Sequence, residues 1–429
     1  MNFAVYRDLL RIRPIRMLLI VGMIARFPHS AAGVLLTLHV VQTLDRNYAE
    51  AGAVAAVVTI GIAVGAPWRG RRIDSVGLRR ALIPSIIAEA AIWSVAPHLS
   101  YEWLLVAVLV GGLFTLPAFS VIRQALGVLV DGDRRRTAFT LDAIATEVIF
   151  MVGPAVGVVL ATQMSTVFGL ALVGFATASA GIFLMVFNPP TRSAQLDPVT
   201  VSAAAPRGIS AADRATSGAS ANGPRASSSF HRRARRAFPW LTVPLVVVMV
   251  VAAGAGLVLS GSEVGIVAAL ELRGDEGQLG LVFAAWCGAS VVGGLFYGAL
   301  RRPVPPSLLL LGMALLTLPM GFATSTLSLA LLAIPAGLLC APVLSAASEK
   351  VADLVAEDRR GEAMGWYGSA LTSGVALGAP VAGFLIDATG PWGGFLAVGA
   401  VSALIGAAGL VYGTLRRERV PAAPIPAAR

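Results

Sequence analysis

The sequence predicts an all-α polytopic membrane protein with twelve transmembrane helices. Hydrophobic residues make up 56% of the 429 residues and charged residues only 13%, against a charged share of ~25% in soluble proteins. A chain with so few polar groups cannot cover its surface for water, which excludes a soluble fold. The apolar residues gather in runs of the length that crosses a ~30 Å hydrocarbon layer as a helix, and the ~10-residue alternating segments of a β-barrel do not occur.

Twelve such runs follow one another, separated by connections that contain charges, glycine or proline. Backbone groups inside lipid must be hydrogen-bonded within their own segment, so each run is predicted to be a helix. The first run has no small-residue cleavage site behind it and is read as a retained span rather than a signal peptide. The predicted spans cover residues 15–43, 50–68, 81–97, 102–126, 138–161, 165–187, 240–270, 277–299, 307–323, 327–349, 362–386 and 391–413.

The distribution of basic residues predicts the orientation of these spans. All but four of the 33 arginines and lysines lie at the termini and in alternate connections; the exceptions are Arg26, Arg46, Arg123 and Arg273. Cytoplasmic connections carry such an excess, so we expect both termini in the cytoplasm and the chain in the cytoplasmic (inner) membrane. The net charge of +10 is therefore a topology signal, and no nucleic-acid partner is expected. Heavy use of arginine and alanine indicates a GC-rich bacterial genome.

The sequence repeats itself in two six-span halves. Leu116-Pro117 with Ser120 recurs 225 positions later as Ala341-Pro342 with Ser345, and Gly70 pairs with Gly298 in a second register 228 positions apart. Parallel halves of this kind form a substrate site at their interface near the membrane midplane. The segment between them is rich in Pro, Ser, Ala and Arg and cannot bury enough apolar surface to fold alone. The predicted units are 1–187, the cytoplasmic linker 188–239, 240–413 and the cytoplasmic tail 414–429.

A charged segment with two glycines, residues 70–82, connects the second and third spans. It resembles the signature of the major facilitator superfamily, Gly-x-Leu-Ala-Asp-Arg-x-Gly-Arg-Lys-x-x-Leu. The residues at matching places are Gly70, Asp74, Gly77, Arg79 and Leu82, and those that depart from it are Arg72, Ser75 and Leu78. The resemblance implies the fold of that superfamily, two pseudo-symmetric six-helix halves, and secondary transport by alternating access.

The same resemblance implies a role for this connection. Gly70, Asp74, Gly77 and Arg79 would form a conformational latch that holds the inner ends of the two halves together. The Asp74 carboxylate, next to the start of the third span, would be favoured by the helix macrodipole by ~0.3–1 kcal/mol. In the second half Arg302 stands where the acid would be, so the latch is expected to be asymmetric. The alternative is a simple hairpin connection.

Gly153, Pro154 and Gly157 in the fifth span form a helix-packing motif. Proline removes one helical hydrogen bond, and the glycines allow close approach of a neighbouring helix. The stretch resembles the Gly-Pro-x-x-Gly-Gly core found in proton-driven exporters of the superfamily, with Val158 in place of the last glycine. The alternative is a generic kinked packing helix.

Ionisable residues inside spans cost ~2.5–3.5 kcal/mol each to insert and are therefore functional candidates. The candidates are Arg26 and His29 in the first span, Glu147 in the fifth and Glu263 in the seventh. The resemblance implies that the first, fourth, seventh and tenth spans line the cavity, with the fifth beside them. We therefore expect Arg26, Glu147 and Glu263 to converge on one polar site, with Glu147 or Glu263 carrying the coupled proton. A static ion pair with Arg26 or Arg123 is the alternative.

Arg123 and Asp142 lie on either side of the short connection between the fourth and fifth spans, so a structural ion pair between them is predicted. No metal-ligand cluster, nucleophile motif or phosphate loop is present in the sequence, and no enzymatic activity, cofactor or metal is expected. The predicted function is proton-coupled efflux of a small molecule by a monomer in the bilayer, driven by the proton gradient. The alternatives are an importer or uniporter of a sugar or other metabolite, a non-transporting receptor, and an intramembrane enzyme.

Overall fold

The computed structural model describes residues 4–130, 132–196, 240–300 and 302–418, and within them every regular element is a helix. Eleven helical segments of this part of the chain are long and apolar enough to cross a membrane, and Pro306–Phe322 is a shorter apolar helix that supplies the twelfth. Large apolar side chains such as Phe175 and Phe384 are more than 70% exposed, as expected of a surface that faces lipid. The all-helical, twelve-span prediction is confirmed.

Spans one to six, called here the N-terminal half, follow a short helix that precedes the first span. The fourth span is predicted as one continuous run, but the structure breaks it at Thr115–Pro117, because Pro117 lacks the amide that would continue the helix. The helices are α1 (Ala4–Arg11), α2 (Arg13–Leu38), α3 (Tyr48–Val76), α4 (Leu78–Val95), α5 (Tyr101–Phe114), α6 (Ala118–Leu129), α7 (Asp133–Gln163) and α8 (Thr166–Phe187).

Spans seven to twelve, called the C-terminal half, have the same plan. The tenth span is broken at Leu338–Leu339, as the fourth is in the other half. The boundaries predicted for the halves stay predictions, and residues 197–239 of the linker and 419–429 of the tail lie outside the described residues. The helices are α9 (Val243–Glu271), α10 (Leu279–Gly298), α11 (Pro306–Thr317), α12 (Thr326–Gly337), α13 (Cys340–Leu354), α14 (Arg360–Thr389) and α15 (Pro391–Glu418).

Helix α3 is longer than the second span predicted from hydropathy. It begins with a capping box, in which the Asn47 side chain accepts the Glu50 amide at 2.9 Å and the Glu50 carboxylate accepts the Asn47 amide at 3.2 Å. It then continues past residue 68 and ends only at Gly77, whose φ of +83° is a conformation that favours glycine. The charged residues predicted as a connection therefore extend the helix beyond the apolar layer.

Glycines allow close contact between the first and fifth spans, and likewise between the seventh and eleventh. A side-chain carbon at Gly153 would overlap the Ser30 side chain, and one at Gly157 would lie 2.8 Å from the carbonyl oxygen of Ala31. In the other half a carbon at Gly378 would lie 2.6 Å from the carbonyl of Leu257. The predicted packing motif thus lies at a close contact between α7 and α2.

The two halves meet near one end of the bundle, which we call the basic face. At this interface between the halves, called the seam from here on, α3 packs on α14, α7 on α10 and α13, and α6 on α14. One of the contacts between α3 and α14 is the hydrogen bond from Ser369 to the carbonyl of Ala63, at 2.6 Å. Helix α14 also packs against α9 of its own half. The halves are therefore closed together at the basic face, whose arginines are Arg71, Arg72, Arg79, Arg80, Arg134, Arg135, Arg136, Arg359 and Arg360.

Candidate functional site

Asp74, near the end of α3, caps a helix of the other half. Its carboxylate accepts the backbone amides of Gly361 at 3.0 Å and Glu362 at 2.7 Å. These amides belong to the first turn of α14, where N–H groups have no partner within the helix and negative charge is favourable. The loop sequence predicts that Asp74 meets the start of the third span. The structure places it at the start of the eleventh span instead, because α3 continues past its predicted end.

The close approach of α3 and α14 depends on glycine and on a cross-seam ion pair. A side-chain carbon at Gly70 would overlap the carbonyl of Gly361. Next to it, the Arg71 guanidinium lies 2.5 Å from the carboxylate of Glu362, which is itself fully buried. The close approach of Gly70 to Gly361 and the ion pair of Arg71 with Glu362 therefore both exist only when the halves are closed together.

The remaining partners of the Asp74 segment lie in the N-terminal half and at the start of the linker. Gln124 donates to the Asp74 carboxylate at 3.0 Å, and Arg192, just after the sixth span, donates to the backbone carbonyl of Asp74. Arg79 donates to the carbonyl of Met185 at 3.3 Å. Of the predicted latch residues, Gly70 and Asp74 therefore contact the other half, whereas Gly77 forms the turn and the contact of Arg79 is internal to its half.

A buried charge cluster joins the first, fourth and fifth spans. Arg26 lies 2.6 Å from one Asp142 oxygen, and Arg123 lies 3.1 Å from the other. Arg26 also donates to Thr146 at 3.1 Å, and both guanidinium groups lie over the Phe119 ring, at 4.4 and 5.9 Å from its centre. The three charged side chains are at most 6% exposed. One carboxylate thus serves two cations.

The predicted contact between Arg123 and Asp142 is present, and Arg26 joins it. The ion pair of Arg26 is with Asp142 rather than with Glu147 or Glu263, and the convergence of these three residues on one site stays a prediction. Arg123 also lies 5.3 Å from the ring centre of Tyr367 on α14. The cluster therefore contacts the C-terminal half through the aromatic ring of Tyr367, which was not among the predicted site residues.

Glu147, on α7, is held by groups of the other half. The Cys340 thiol donates to its carboxylate at 3.1 Å, and the Ser290 hydroxyl on α10 interacts with the same carboxylate. Cys340 is the first residue of α13, so Glu147 lies at the helix N-terminus created by the break in the tenth span. Ser290 is fixed there because it accepts the amide of Ala341 at 3.1 Å. A titratable group of one half is thus bonded across the seam.

Glu263 is exposed on α9, and no hydrogen bond or ion pair ties it to another described residue. Cys287 on α10 interacts electrostatically with both Glu147 and Glu263, so both carboxylates lie in the neighbourhood of one thiol. Among the described residues, no three His, Cys, Asp or Glu side chains are grouped so that they could hold a metal ion.

Arg69 is a buried charge inside the second span that hydropathy did not predict. It donates to the carbonyls of Gly112, at 3.0 Å, and Leu113 at the end of α5. Both carbonyls belong to the last turn of α5, where the break in the fourth span interrupts the helical hydrogen bonds; that of Gly112 also accepts the amide of Thr115 at 3.3 Å. Arg69 follows Trp68, where the apolar run ends, so hydropathy assigned it to the connection.

Glu89 on α4 satisfies the other side of the same break. Its carboxylate accepts the amide of Leu116 at 3.3 Å and the indole N–H of Trp93 at 2.6 Å, and it interacts electrostatically with Arg69. His29, predicted as a site residue, is half-buried and interacts electrostatically with Arg69. Arg69 and Glu89 thus clamp the broken fourth span.

Comparison with known proteins agrees with this architecture. The profile of the Major Facilitator Superfamily matches residues 18–270 and 246–429. The crystal structure of the human organic anion transporter MFSD10 (TETRAN) has a TM-score of 0.66 at 17% identity, over 94% of this chain and 99% of that one. A bacterial homologue of the iron transporter ferroportin, crystallised in an outward-facing state, has a TM-score of 0.68 at 16% identity, over 94% and 99%. At these identities the likeness is one of fold. No curated protein sequence matches the chain.

Proposed function

This chain belongs to the Major Facilitator Superfamily, and we propose that it exports a small molecule across the cytoplasmic membrane in exchange for protons. It is a multi-pass membrane transporter that binds a small-molecule substrate, and its relatives are transporters rather than enzymes. The proposal adds the direction of transport, the coupled ion and the residues that carry out the coupling. It includes a monomer as the working unit and the proton gradient as the only energy source.

The basic face is the cytoplasmic side in this proposal. The excess of arginine in its connections supports that orientation through the positive-inside rule. Because the halves are closed together at this face, the structure then corresponds to a transporter whose substrate site communicates with the outside. Export requires the opposite state as well, in which the contacts between α3 and α14 and between α7 and α10 separate.

The observation that carries the proposal is the bond between Glu147 and Cys340 across the seam. When Glu147 is ionised, it accepts charge-assisted hydrogen bonds from the C-terminal half, and such bonds are about twice as strong as neutral ones. When Glu147 takes up a proton, its negative charge is lost and the bonds weaken. Protonation from the outside therefore loosens the closed seam, which permits the basic face to open and the proton to leave to the cytoplasm.

Glu263 is the second proton-binding candidate. It lies on the seventh span, is exposed, and shares Cys287 with Glu147 as a neighbour. A substrate that binds between the two carboxylates would compete with protons for them, which is the requirement of exchange. Two carboxylates without an arginine partner favour a cationic or neutral substrate. Arg26 is paired with Asp142 rather than with either of these carboxylates, although Asp142 also pairs with Arg123 and the cluster keeps one net positive charge.

The test uses a substrate found by a ligand-induced thermal-shift screen of the purified protein. In proteoliposomes with an imposed pH gradient, Glu147→Gln should abolish uphill transport while downhill exchange continues. Glu102→Gln is the matched control, since Glu102 is 70% exposed at the opposite end of the N-terminal half. Uphill transport that survives in both Glu147→Gln and Glu263→Gln would contradict proton coupling through these residues and favour a facilitator.

The importer and the receptor alternatives are separated in the same experiment. An importer would move the substrate in the same direction as the protons, whereas the proposed exporter moves it in the opposite direction. A receptor would bind the substrate in the thermal-shift screen and move none of it in either direction. Either result would replace proton-coupled export as the function of the chain.

A further inference from the structure

We propose that the basic face carries a second latch, in which Tyr6, Arg136 and Thr137 of the N-terminal half hold the C-terminal end of α10. The latch rests on the alternating-access part of the proposed function, and it is independent of the direction of transport and of the coupled ion. It acts at the end of α10, whereas Asp74 acts at the beginning of α14.

The backbone carbonyls at the end of α10 are bonded in two different ways. The last four carbonyls of any helix have no partner within it. Two of the four, those of Phe296 and Tyr297, accept amides from the residues that follow, at 3.2 and 3.1 Å. The other two accept from the N-terminal half: Leu295 from the Tyr6 hydroxyl at 2.8 Å, and Gly298 from the Thr137 hydroxyl at 2.7 Å. Half of this helix end is therefore satisfied across the seam.

Tyr6 lies on α1, before the first span, and reaches the other half from there. Its ring is buried, at 8% exposed, and its hydroxyl also lies 3.3 Å from the carbonyl of Gly294. A side-chain carbon at Gly298 would overlap the Tyr6 hydroxyl, so the contact requires glycine at that place. Burial raises the pKa of Tyr6, which keeps the hydroxyl protonated and available as a donor.

Arg136 adds positive charge at the same helix end. It donates to the carbonyl of Leu300 at 2.8 Å, lies 3.5 Å from the Glu349 carboxylate, and is 5.8 Å from the Tyr297 ring centre. The C-terminus of a helix carries partial negative charge, so a buried guanidinium is favourable there. The two latches have opposite polarity: an anion holds the start of α14, and donors with a cation hold the end of α10.

The sequence explains why the second latch does not use an acid. The C-terminal half repeats Gly70 as Gly298, but Arg302 occupies the position that corresponds to Asp74. An acid there is therefore unavailable to bind the start of α7. The N-terminal half supplies donors to α10 instead, so that both connections of the repeat are bonded across the seam by different chemistry.

Opening of the basic face must break these bonds and leave the carbonyls of Leu295 and Gly298 to water. The second latch therefore stabilises the closed arrangement, and its removal should raise the population of the open one. Tyr6→Phe and Thr137→Val each remove one donor while the side chain keeps its shape. Tyr101→Phe and Thr317→Val are matched controls, because those hydroxyls bond a carbonyl of their own half at 3.1 and 2.9 Å.

The experiment measures opening directly, with no substrate and no gradient. In a Cys287→Ala, Cys340→Ser background, Ser345→Cys is the reporter, since Ser345 is 1% exposed and lies 3.0 Å from Thr140 across the seam. A membrane-impermeant thiol reagent is added to inverted membrane vesicles, which present the basic face. When opening is fast, the labelling rate follows the open population.

Loss of one such hydrogen bond should raise the labelling rate about three- to tenfold in Tyr6→Phe and in Thr137→Val, with the two controls within about twofold of the parent. Equal rates in all variants would overturn the second latch, and so would an equal increase in the controls, which would indicate general loosening. Because neither protons nor substrate enter this assay, failure of the proton-coupled transport test leaves its outcome unaffected.

Discussion

The Asp74 carboxylate and the backbone amide of Glu362 are joined by a 2.7 Å hydrogen bond across 288 positions of sequence. Through this bond and the one from the Gly361 amide, Asp74 at the end of α3 accepts the free amides in the first turn of α14, so the start of a helix in one half is satisfied by the other half. A helix end that depends on the partner half is stable in the closed arrangement and unsatisfied in the open one. Hydrogen bonds at helix termini therefore contribute part of the free energy that stabilises the closed basic face.

Asp74→Ala should open the basic face. Loss of an N-cap carboxylate costs about 1–2 kcal/mol, which corresponds to an open population about five to thirty times larger. The rate at which the Ser345→Cys reporter is labelled from the basic face measures this change. Asn47→Ala is the control, because Asn47 caps α3 within its own half; similar rates in the two variants would contradict the gating role.

Asp142→Asn should destabilise the whole protein. The substitution leaves Arg26 and Arg123 buried without a counter-ion, and a broken buried ion pair costs about 3–5 kcal/mol. Thermal unfolding of the purified protein in detergent checks it. The control is Asp353→Asn, which breaks an ion pair with Arg135 in which the Asp353 side chain is 43% exposed. This substitution should lower the stability by less than about 1 kcal/mol. Equal losses in the two variants would show that the buried cluster does not carry the stability assigned to it.

Gly153→Ala should weaken the contact between the first and fifth spans. The added carbon meets the Ser30 side chain, and overpacking of this kind costs about 1–3 kcal/mol. Unfolding temperatures should fall, and Ser30→Gly in the same chain should restore part of the loss by making room. In Gly33→Ala, on the neighbouring helix, the added carbon meets nothing within 4 Å, so the stability of this variant should stay the same or rise. A fall equal to that of Gly153→Ala would contradict the role of close packing at Gly153.

Glu89→Ala should destabilise the broken fourth span. It removes the acceptor of the Leu116 amide and the Trp93 indole and leaves Arg69 without its nearby carboxylate, a loss of about 3 kcal/mol or more. Glu89→Gln keeps an acceptor oxygen and should lose less. Thermal unfolding of both, with the exposed Glu102→Ala as reference, checks the order. Equal stability of Glu89→Ala and Glu102→Ala would contradict the clamp.

The spans were predictable because hydropathy depends on local sequence. The predicted limits of the fifth and sixth spans differ from those of α7 and α8 by a few residues. The pair of Arg123 and Asp142 was also predictable, since both flank one short connection. The partner of Arg26 was not, because 116 positions separate it from Asp142 and helix rotation decides which side chains meet.

The roles of residues outside the apolar runs were not predicted from the sequence. Tyr6 precedes the first span, and Arg69 stands at the end of the second, so neither is unusual by composition. Their roles arise from backbone groups freed elsewhere: the end of α10 for Tyr6, and the break of the fourth span for Arg69. Free carbonyls at helix ends are not marked in a sequence, and their partners become visible only when the helices are placed together.

We expect the two halves to move against each other during transport, and two interspin distances measured on the same protein test this movement. Spin labels at Ser75 and Arg302 report the basic face, and labels at Ser100 and Thr324 report the opposite face; all four residues are exposed. In the Cys287→Ala, Cys340→Ser background, Glu147→Gln should lengthen the first distance and shorten the second. Two distances that stay fixed, or that change in the same direction, would contradict alternating access.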